Sequence, residues 1–418
     1  MTAVPAMSRT APRPTLPLQA RGSNQGGVRQ YNERVVLQAI RLHGALPKAE
    51  LARLTHLSAQ AVSLIIDRLQ AEDLVRKQAP VRGGRVGQPS VPIALNPDGA
   101  FSVGIKVGRR SMDALLVDFT GAVRLRHSTP YPWPDPDQLF ADIGRDIQRL
   151  QAHLDIQGAG LADRLQGVGV AAPFFLGGWQ TLLGMPQDKA QRWQQLDLVR
   201  SLQSVTDLDV HLVKDTSAAC VAELVAGVGR TVRSFLYVFV DTFIGGGLVL
   251  DSRLHPGRHG NGGAVGSLPL GLSQGANQGL PPQLLSVASL QNLEQAFEQA
   301  GIDPSAAYDE RALQAPWAPH SQAWLAQTAR GIAMAANVTA SLLDIDGVIV
   351  DGSFSRGLHQ QLVLATQTAL QEYRWEGVFA PEVLPGTIGS DARALGGALM
   401  PLYANFAPDR EVFLKLEA

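Results

Sequence analysis

The amino-acid sequence predicts a multidomain α/β protein, in which an N-terminal winged helix-turn-helix is followed by a two-lobed body. Three observations carry this prediction. The chain has 418 residues, which is longer than an ordinary single domain. Its first part shows three helical patterns with a very short link between the second and third, and a basic glycine loop follows. Two later segments, roughly 130 residues apart, each repeat a strand, a glycine turn and a second strand.

The composition indicates a folded protein and excludes several classes. Apolar residues make up 45% and charged residues 17% of the chain, which is typical of a globular protein with a sizeable core. No uncharged apolar run is long enough to cross a bilayer, so no membrane partner is expected. The single cysteine, Cys220, excludes an internal disulfide and a metal site of several cysteines. We therefore expect a cytoplasmic protein.

The charge is unevenly distributed along the chain. The first 90 residues hold 13 of the 36 basic residues but only 5 of the 37 acidic ones, so a basic segment precedes an acidic body. A basic segment of this kind favours contact with a polyanion such as nucleic acid. Residues 1–28 lack the apolar stretch of a secretory signal, and we predict that they form a disordered basic tail.

The segment after the tail predicts a winged helix-turn-helix. Its third helical pattern has Ser58 as a natural N-cap, and the short link at residues 55–57 has the spacing of a helix-turn-helix. The apolar stripe of this helix is formed by Val62, Ile65, Ile66 and Leu69. Two β-prone pieces, residues 74–76 and 91–95, flank a basic glycine loop and predict a wing. A three-helix module that binds another protein is the alternative interpretation.

The third helix of such a module enters the major groove, and its first turns meet the base edges. The exposed positions that we predict to contact DNA are Ser58, Ala59, Gln60 and Ser63. Gln60 carries the amide group that pairs with adenine. Arg82 and Arg85 of the wing are predicted to meet phosphates or a minor groove.

The body repeats one plan. The stretches "FSVGIKVGRRSMDALLVDFTGAVRLR" and "FLYVFVDTFIGGGLVLDSRLHPG" each show apolar strands joined at glycines. This repetition predicts an internally duplicated, two-lobed α/β fold, in which a nucleotide would bind between the lobes with one glycine turn from each side. That is the architecture of actin-like ATPases and sugar kinases. A plain hairpin is the alternative interpretation of the glycines Gly245, Gly246 and Gly247.

Several ordered motifs together resemble the ROK family of repressors and sugar kinases. They are "GQP" at residues 87–89, "GVGVAAPFF" at 167–175, "VKDTSAACVAEL" at 213–224, "VIVDGSF" at 348–354 and "DARALGGALMPLY" at 391–403. The resemblance implies a winged helix-turn-helix followed by a two-lobed actin-like ATPase fold of the ROK sugar-kinase type. It divides the chain into a tail (1–28), a DNA-binding domain (29–97), a first lobe (98–213 plus 395–418) and a second lobe (214–394).

The first phosphate loop departs from the pattern of the family's kinases. Those kinases use Asp-x-Gly-x-Thr, whereas this chain has Lys106 and Arg110 in place of the aspartate and threonine, around the retained Gly108. A lysine cannot ligate Mg²⁺, so we expect no kinase activity and no cofactor. On the adenosine side, Asp351 would repel a nucleotide triphosphate. Together with Arg109, Lys106 and Arg110 form either an anion site or a solvated basic turn.

The sugar side and the zinc loop are also altered. The resemblance implies that Asp215 corresponds to the kinases' catalytic base, with Lys214 in place of an asparagine, although Asp215 is equally placed to cap a helix. The family's Glu-x-Gly-His, which contacts the sugar, aligns with "AVGS", so that Ala264 and Ser267 replace its Glu and His. The residues predicted to bind an effector are Lys214, Asp215, Gly263 and Ser267. The loop that binds zinc in many members has neither cysteine nor histidine here, so no metal is expected.

The sequence thus predicts a DNA-binding transcriptional regulator, most simply a repressor of carbohydrate genes. Its partners would be a double-stranded DNA operator and a sugar or sugar-derivative effector. A homodimer or a dimer of dimers would match a two-fold operator. Two alternatives stay open: an active sugar kinase with an added DNA-binding domain, and a regulator that answers to a protein partner instead of a sugar.

Overall fold

The fold is taken from a computed structural model that describes residues 25–80, 90–173, 185–272 and 280–408. Its helices are α1 (Gln25–His43), α2 (Lys48–Thr55), α3 (Ala59–Ala71), α4 (Pro136–Gln157), α5 (Gln187–Gln195), α6 (Leu198–Gln203), α7 (Asp215–Ala226), α8 (Leu285–Ala288), α9 (Leu290–Gln299), α10 (Ala318–Leu343), α11 (Arg356–Leu370) and α12 (Ala392–Phe406). Its strands are β1 (Leu46–Pro47), β2 (Val75–Lys77), β3 (Pro92–Leu95), β4 (Phe101–Val107), β5 (Ser111–Asp118), β6 (Val123–Pro130), β7 (Leu165–Ala172), β8 (Val210–Lys214), β9 (Phe235–Val240), β10 (Gly245–Leu250), β11 (Arg253–Leu254), β12 (Gly347–Gly352) and β13 (Glu382–Pro385).

The N-terminal module packs α1, α2 and α3 against a small sheet of order β1-β3-β2. Its core is closed by fully buried side chains from all three helices, among them Val36, Leu51 and Ile66. Helix α1 begins at Gln25, so the last residues of the predicted tail are helical instead of disordered. Residues 1–24 and the wing loop at 81–89, with Arg82 and Arg85, lie outside the described residues.

The body contains two five-stranded sheets with the same plan. The first has the order β6-β5-β4-β7-β8 and the second the order β11-β10-β9-β12-β13. In each sheet, neighbours among the first three strands of this order are antiparallel. The last two strands run parallel to the third strand, which is the central one. We call these sheets and the helices that pack on them the first and second lobes. The shared order confirms the predicted duplication.

Helices α7 and α12 pack against each other between the two sheets. Glycines make this packing close, because a Cβ on Gly396 of α12 would collide with the carbonyl of Ala218 in α7. On the first lobe, Ser102 Oγ donates a hydrogen bond to the Ala398 carbonyl of α12 at 2.6 Å. A Cβ on Gly104 of β4 would also collide with the Ala394 carbonyl of α12, and such close contacts leave little room for α12 to slide on the first sheet.

Gly245, Gly246 and Gly247 do not form the turn that their sequence suggests. The turn lies at residues 241–244, and the three glycines open strand β10, paired with Phe239, Val238 and Tyr237. The prediction of a glycine turn is therefore wrong, although the hairpin itself is present. The glycines are needed for packing instead: a Cβ on Gly247 would lie 2.7 Å from Cys220 Cβ on α7.

The module is fixed to the body by the end of α1. The guanidinium of Arg41 lies 5.1 Å from the ring centre of Phe119 and 5.5 Å from that of Tyr403 in α12. Phe119 in turn contacts Phe406, the last residue of α12, edge to face. The C-terminal half of α12 thus supports the DNA-binding module.

Two arginines of the body also reach the module. Arg230, in the turn after α7, donates from Nη2 to the Leu42 carbonyl at 2.8 Å, near the end of α1. Arg164, just before β7, pairs from Nη2 with Asp73 Oδ2 at 2.8 Å. The turn after α7 and the segment before β7 therefore also contact the module.

Candidate functional site: the interlobe cleft and the DNA-reading helix

A cavity of about 390 Å³ lies between the lobes, beside the predicted first phosphate loop. Its lining residues are Lys106, Arg109, Arg110, Ser111, Asp113, Asp241, Thr242, Ser305, Tyr308, Ser353, Ser390 and Arg393. Four of these side chains are cationic, two are anionic and six carry a hydroxyl group. The first lobe, the second lobe and α12 all contribute to it. We call this cavity the interlobe cavity.

Lys106 is turned into the protein and paired. Its Nζ lies 2.7 Å from Asp113 Oδ2 and 2.9 Å from Ser111 Oγ, and the residue is only 7% exposed. Burial lowers the pKa of Lys106, and the nearby Arg393 lowers it further. Burial acts to raise the pKa of Asp113, but the Lys106 ammonium outweighs it, and the pKa of Asp113 lies below its usual value. An ion pair thus occupies the loop that the sequence predicts to correspond to the first phosphate loop.

Arg109 and Arg110 cross from the first lobe to the second. The guanidinium carbon of Arg109 lies 3.5 Å from the ring centre of Phe243, a cation–π contact. Burial lowers the pKa of Arg109 to about 9, although the Asp215 carboxylate opposes this change. Arg110 is half-exposed and donates two hydrogen bonds, of 2.6 and 3.2 Å, to the buried carboxylate of Glu294 in α9.

Arg393 closes the cavity from the first turn of α12. Its Nη1 lies 2.5 Å from Asp241 Oδ2, and its Nη2 donates to Ser353 Oγ at 3.2 Å. Burial acts to lower the pKa of Arg393, but the Asp241 and Asp215 carboxylates outweigh it and raise the pKa. The buried Nε of Arg393 has no hydrogen-bond partner among the described residues.

Lys214 and Asp215 lie at the junction of β8 and α7. Asp215 Oδ1 accepts a hydrogen bond from the Thr216 backbone N–H at 2.8 Å, but the N-cap of α7 is Lys214, and Asp215 is the first helical residue. The effects of Asp215 on the pKa values of Arg109 and Arg393 place it near the interlobe cavity. Lys214 is half-buried, and burial lowers its pKa.

Gly263 and Ser267 lie elsewhere. They line a separate, largely apolar cavity of about 340 Å³, together with residues of β9, β10 and α10. A Cβ on Gly263 would collide with the backbone of Gly247, so this glycine serves the packing of the loop on β10. The structure does not bring these two predicted effector residues into the cavity that Lys106 and Arg393 line.

Asp351, which the resemblance assigns to the adenosine side, is buried and paired. Asp351, at the end of β12, is fully buried, and its Oδ2 accepts from the Gly389 backbone N–H at 2.8 Å. Its Oδ1 pairs with Arg356 Nη1 at 3.1 Å. A buried, paired carboxylate at this position opposes the binding of nucleotide phosphates.

Within the described ranges, no three His, Cys, Asp or Glu side chains cluster in a way that would hold a metal ion. Cys220 is buried on α7 against β10, and burial raises the pKa of its thiol well above the ordinary value.

No helix in the described ranges combines the length and hydropathy of a membrane span.

The third helix of the module presents the predicted DNA-contacting face. Ser58 caps α3, its side chain accepting from the Ala61 N–H at 3.2 Å. Ser58, Ala59 and Gln60 are exposed. Ser63 is partly buried, and its hydroxyl accepts a hydrogen bond from Lys48 Nζ at 2.9 Å.

One exposed residue of α3 escaped the sequence-based prediction. Leu64 is 56% exposed, one turn beyond Gln60. Leu64 lies off the apolar stripe and follows Gln60 by four residues, so the two share one face of α3. This spacing is the signal from which the sequence could have identified Leu64. An exposed leucine at this place suits contact with a thymine methyl group. In the cleft, the prediction likewise missed Asp113, Asp241, Glu294, Tyr308 and Arg393, which come from distant segments.

Comparisons with known proteins agree with this architecture. The model of the ROK family matches residues 102–402, and that of the MarR family matches residues 30–86. The xylose repressor of Bacillus subtilis (strain 168) is 26% identical over 250 residues, which cover 59% of this chain and 62% of the repressor. The alignment thus spans less than two thirds of that relative.

Two solved structures share the fold. A ROK family transcriptional regulator, a homologue of the E. coli MLC protein, superposes with a TM-score of 0.65 at 20% identity, covering 91% of this chain and 97% of its own. A ROK hexokinase from Thermus thermophilus superposes with a TM-score of 0.51 at 25% identity, covering 72% of this chain and 97% of its own. The regulator's coverage of this chain includes the N-terminal region, whereas the enzyme matches a smaller part.

Proposed function

Because the chain belongs to the ROK family and carries a MarR-type winged helix-turn-helix, we propose that it is a DNA-binding transcriptional regulator. It would repress carbohydrate genes and respond to a sugar or sugar derivative bound between the lobes of its body. The observation that carries the proposal is the exposed N-terminal face of α3, with Gln60 and Leu64 one turn apart on a module that contacts the body through Arg230. The similarity to a xylose repressor supports the same function.

The course of α7 and α12 supports a coupling between effector and operator. Asp215, the first residue of α7, and Arg393, the second of α12, lie at or near the interlobe cavity. At the far ends, Arg230 just after α7 and Phe406, the last residue of α12, meet groups that hold the module. Helix α12 spans about 22 Å between these ends. A ligand that prefers one lobe angle would therefore shift the module, and its differential affinity sets the size of the response.

The cleft argues against kinase chemistry. By the resemblance, Lys106 replaces the metal-binding aspartate of the kinases and Asp351 corresponds to the adenosine side; Lys106 is paired with Asp113, and Asp351 is buried. We propose that the body keeps the fold of a sugar kinase without its phosphoryl transfer. Incubation with ATP, Mg²⁺ and a sugar panel should release no ADP above a protein-free control.

The regulator would act in the cytoplasm, as a dimer whose two α3 helices meet the halves of a pseudo-palindromic operator. Dimer formation would place two equivalent helices one helical turn of DNA apart. Light scattering of the full chain alone and with operator measures the stoichiometry.

Selection of bound duplexes from a random pool, followed by footprinting at one stated salt concentration, tests the proposed function. We expect a two-fold symmetric site that the protein binds at least a thousandfold more tightly than scrambled DNA. Addition of the effector should release that site. Absence of any preferred sequence would overturn the proposal, and release only by a second protein would replace the sugar with a protein partner.

A further inference from the structure

We propose that the interlobe cavity binds a small hydroxylated anion, a sugar phosphate or a sugar acid, through Lys106, Arg109 and Arg393, with Arg110 at its mouth. This inference rests on the proposed function, because the anion would be the regulator's effector. It goes further by naming the chemical class of that effector and the residues that select it.

The charges of the lining favour an anion. Four cations face two carboxylates, those of Asp113 and Asp241, among the lining side chains. Two more carboxylates lie behind the lining, Glu294 paired with Arg110 and Asp215 near Arg109. The charges of the whole cluster thus balance, but among the side chains that line the cavity itself the cations outnumber the carboxylates by four to two.

Arg393 has donor capacity that the protein leaves unused. It is 5% exposed, and two of its nitrogens bond to Asp241 and Ser353. Its third nitrogen, Nε, is buried without a partner among the described residues. A buried donor without an acceptor is costly, and this cost would be relieved if Arg393 moved to present Nε to an anionic oxygen in the adjoining cavity.

Desolvation supports the same conclusion. Burial lowers the pKa of both Lys106 and Arg109, because water that would solvate these cations is excluded. Arg109 is also held against Phe243, which orients its guanidinium before any ligand arrives. A desolvated and oriented cation gains more from an anion than an exposed one does.

The rest of the lining suits a polyol of monosaccharide size. Hydroxyl groups of Ser111, Thr242, Ser305, Tyr308, Ser353 and Ser390 surround the cations. Hydroxyls both donate to and accept from sugar hydroxyls. A volume of about 390 Å³ lies within the range of small-molecule sites. The cations would hold the acidic group, and the hydroxyls would hold the sugar.

Calorimetric titration of the full chain without DNA tests the site directly. The probes are glucose 6-phosphate, fructose 6-phosphate, gluconate and glucuronate, each against glucose or fructose at constant ionic strength, with inorganic phosphate as the anion alone. We expect at least one sugar anion to bind at least tenfold more tightly than its neutral counterpart. The phosphates and the sugar acids form separate arms, which identify the acidic group. Tighter binding of a neutral sugar, or binding of none of the sugar anions, would overturn the proposal.

The variant Arg109→Gln should weaken the binding of the tightest-binding anion at least tenfold. The control is Arg233→Gln, which should leave that affinity unchanged, because Arg233 is exposed and paired with Asp251 elsewhere on the second lobe. Because Arg109 is buried, the double variant Arg110→Gln/Glu294→Gln provides a second test at the cavity mouth, and should weaken the anion severalfold. Unchanged anion affinity in both folded variants would contradict the proposal. Operator binding without ligand is measured separately, so that loss of DNA recognition is distinguished from loss of the anion site.

Discussion

Arg393 of α12 and Asp241 of the second lobe form an ion pair across the interlobe cavity, with 2.5 Å between Nη1 and Oδ2. The side chains are 6% and 14% exposed, so water solvates neither charge well and each is compensated by its partner. Removal of one partner from such a pair leaves an uncompensated buried charge, which typically costs about 3–5 kcal/mol. We therefore expect Arg393→Ala to lower the free energy of unfolding by that amount, measured by urea denaturation.

The control for this prediction removes both charges. In Arg393→Met/Asp241→Asn no charge remains unpaired, and we expect most of the lost stability to return. If the double variant is as unstable as Arg393→Ala, then the cost comes from lost packing on Phe239, whose ring centre lies 5.1 Å from the guanidinium.

Stability in acid should depend on Asp241. Burial acts to raise the pKa of Asp241, but Arg393 and Lys106 outweigh it and lower the pKa below its ordinary value of 3.8. A depressed folded-state pKa adds stability above the unfolded-state pKa, and that stability is lost as the pH falls through the folded value. We expect the fall in unfolding free energy from pH 5 to pH 3 to be smaller in Asp241→Asn than in the wild type.

The wild type is compared with Asp241→Asn because the titration of Glu294 changes the free energy of unfolding with pH in the opposite direction. Burial raises the pKa of Glu294, while Arg110 opposes the change. Its contribution is complete below the unfolded-state pKa and is lost as the pH rises through the folded one. Equal acid slopes for the wild type and Asp241→Asn would show that Asp241 titrates alike in the folded and unfolded chains.

Gln60 should specify one base pair. It is exposed in the first turn of α3, and its amide has the geometry to pair with adenine. We expect Gln60→Ala to cost about 1–3 kcal/mol at the matching site and to relax the preference there, measured by competition among operators that differ at single positions. The control is Gln360→Ala on α11, an exposed glutamine of the second lobe. A uniform loss over all operators would make Gln60 a positioning residue.

The glycines of β10 make a test of packing. A Cβ on Gly247 would lie 2.7 Å from Cys220 Cβ and 2.9 Å from its Sγ. We expect Gly247→Ala to cost about 1–3 kcal/mol in a thermal or urea denaturation, because α7 and β10 must separate. Gly144→Ala is the matched control: Gly144 lies in α4, and its nearest contact would be an ordinary 3.4 Å to Val205. There we expect no loss, since alanine favours a helix. Equal effects would contradict the packing role.

The glycine run also shows where sequence reasoning ends. A glycine that permits a turn and a glycine that permits close packing look the same in a sequence, and here the second use prevails. The packing role becomes apparent only from Cys220 and Thr216, the residues that the glycines approach. They lie on a helix more than twenty residues earlier in the chain. By contrast, the duplicated lobes and the helix-turn-helix were predictable, because strand and helix periodicities are local.

The cleft was predictable only on one side. Lys106 and Arg110 stand out because they replace residues of a known motif. Asp241, Glu294 and Arg393 carry no local pattern, and only the folding of the two lobes onto each other brings them to the loop that holds Lys106. The pairings of Arg110 with Glu294 and of Arg393 with Asp241 join distant segments and are a property of the tertiary structure.

The last prediction concerns the coupling between cavity and module. Arg230 follows α7 and donates to the Leu42 carbonyl at 2.8 Å, which joins the end of α7 to the end of α1. We expect Arg230→Gln to leave operator affinity without effector within about twofold, because the recognition face of α3 is untouched. The ratio of operator Kd values with and without effector should shrink, because coupling free energies of about 1–3 kcal/mol depend on such contacts. Arg233→Gln, whose exposed side chain pairs only with Asp251 among the described residues, serves as the control. A full effector response in Arg230→Gln would leave α12, through Tyr403 and Phe406, as the route by which the cavity acts on the module.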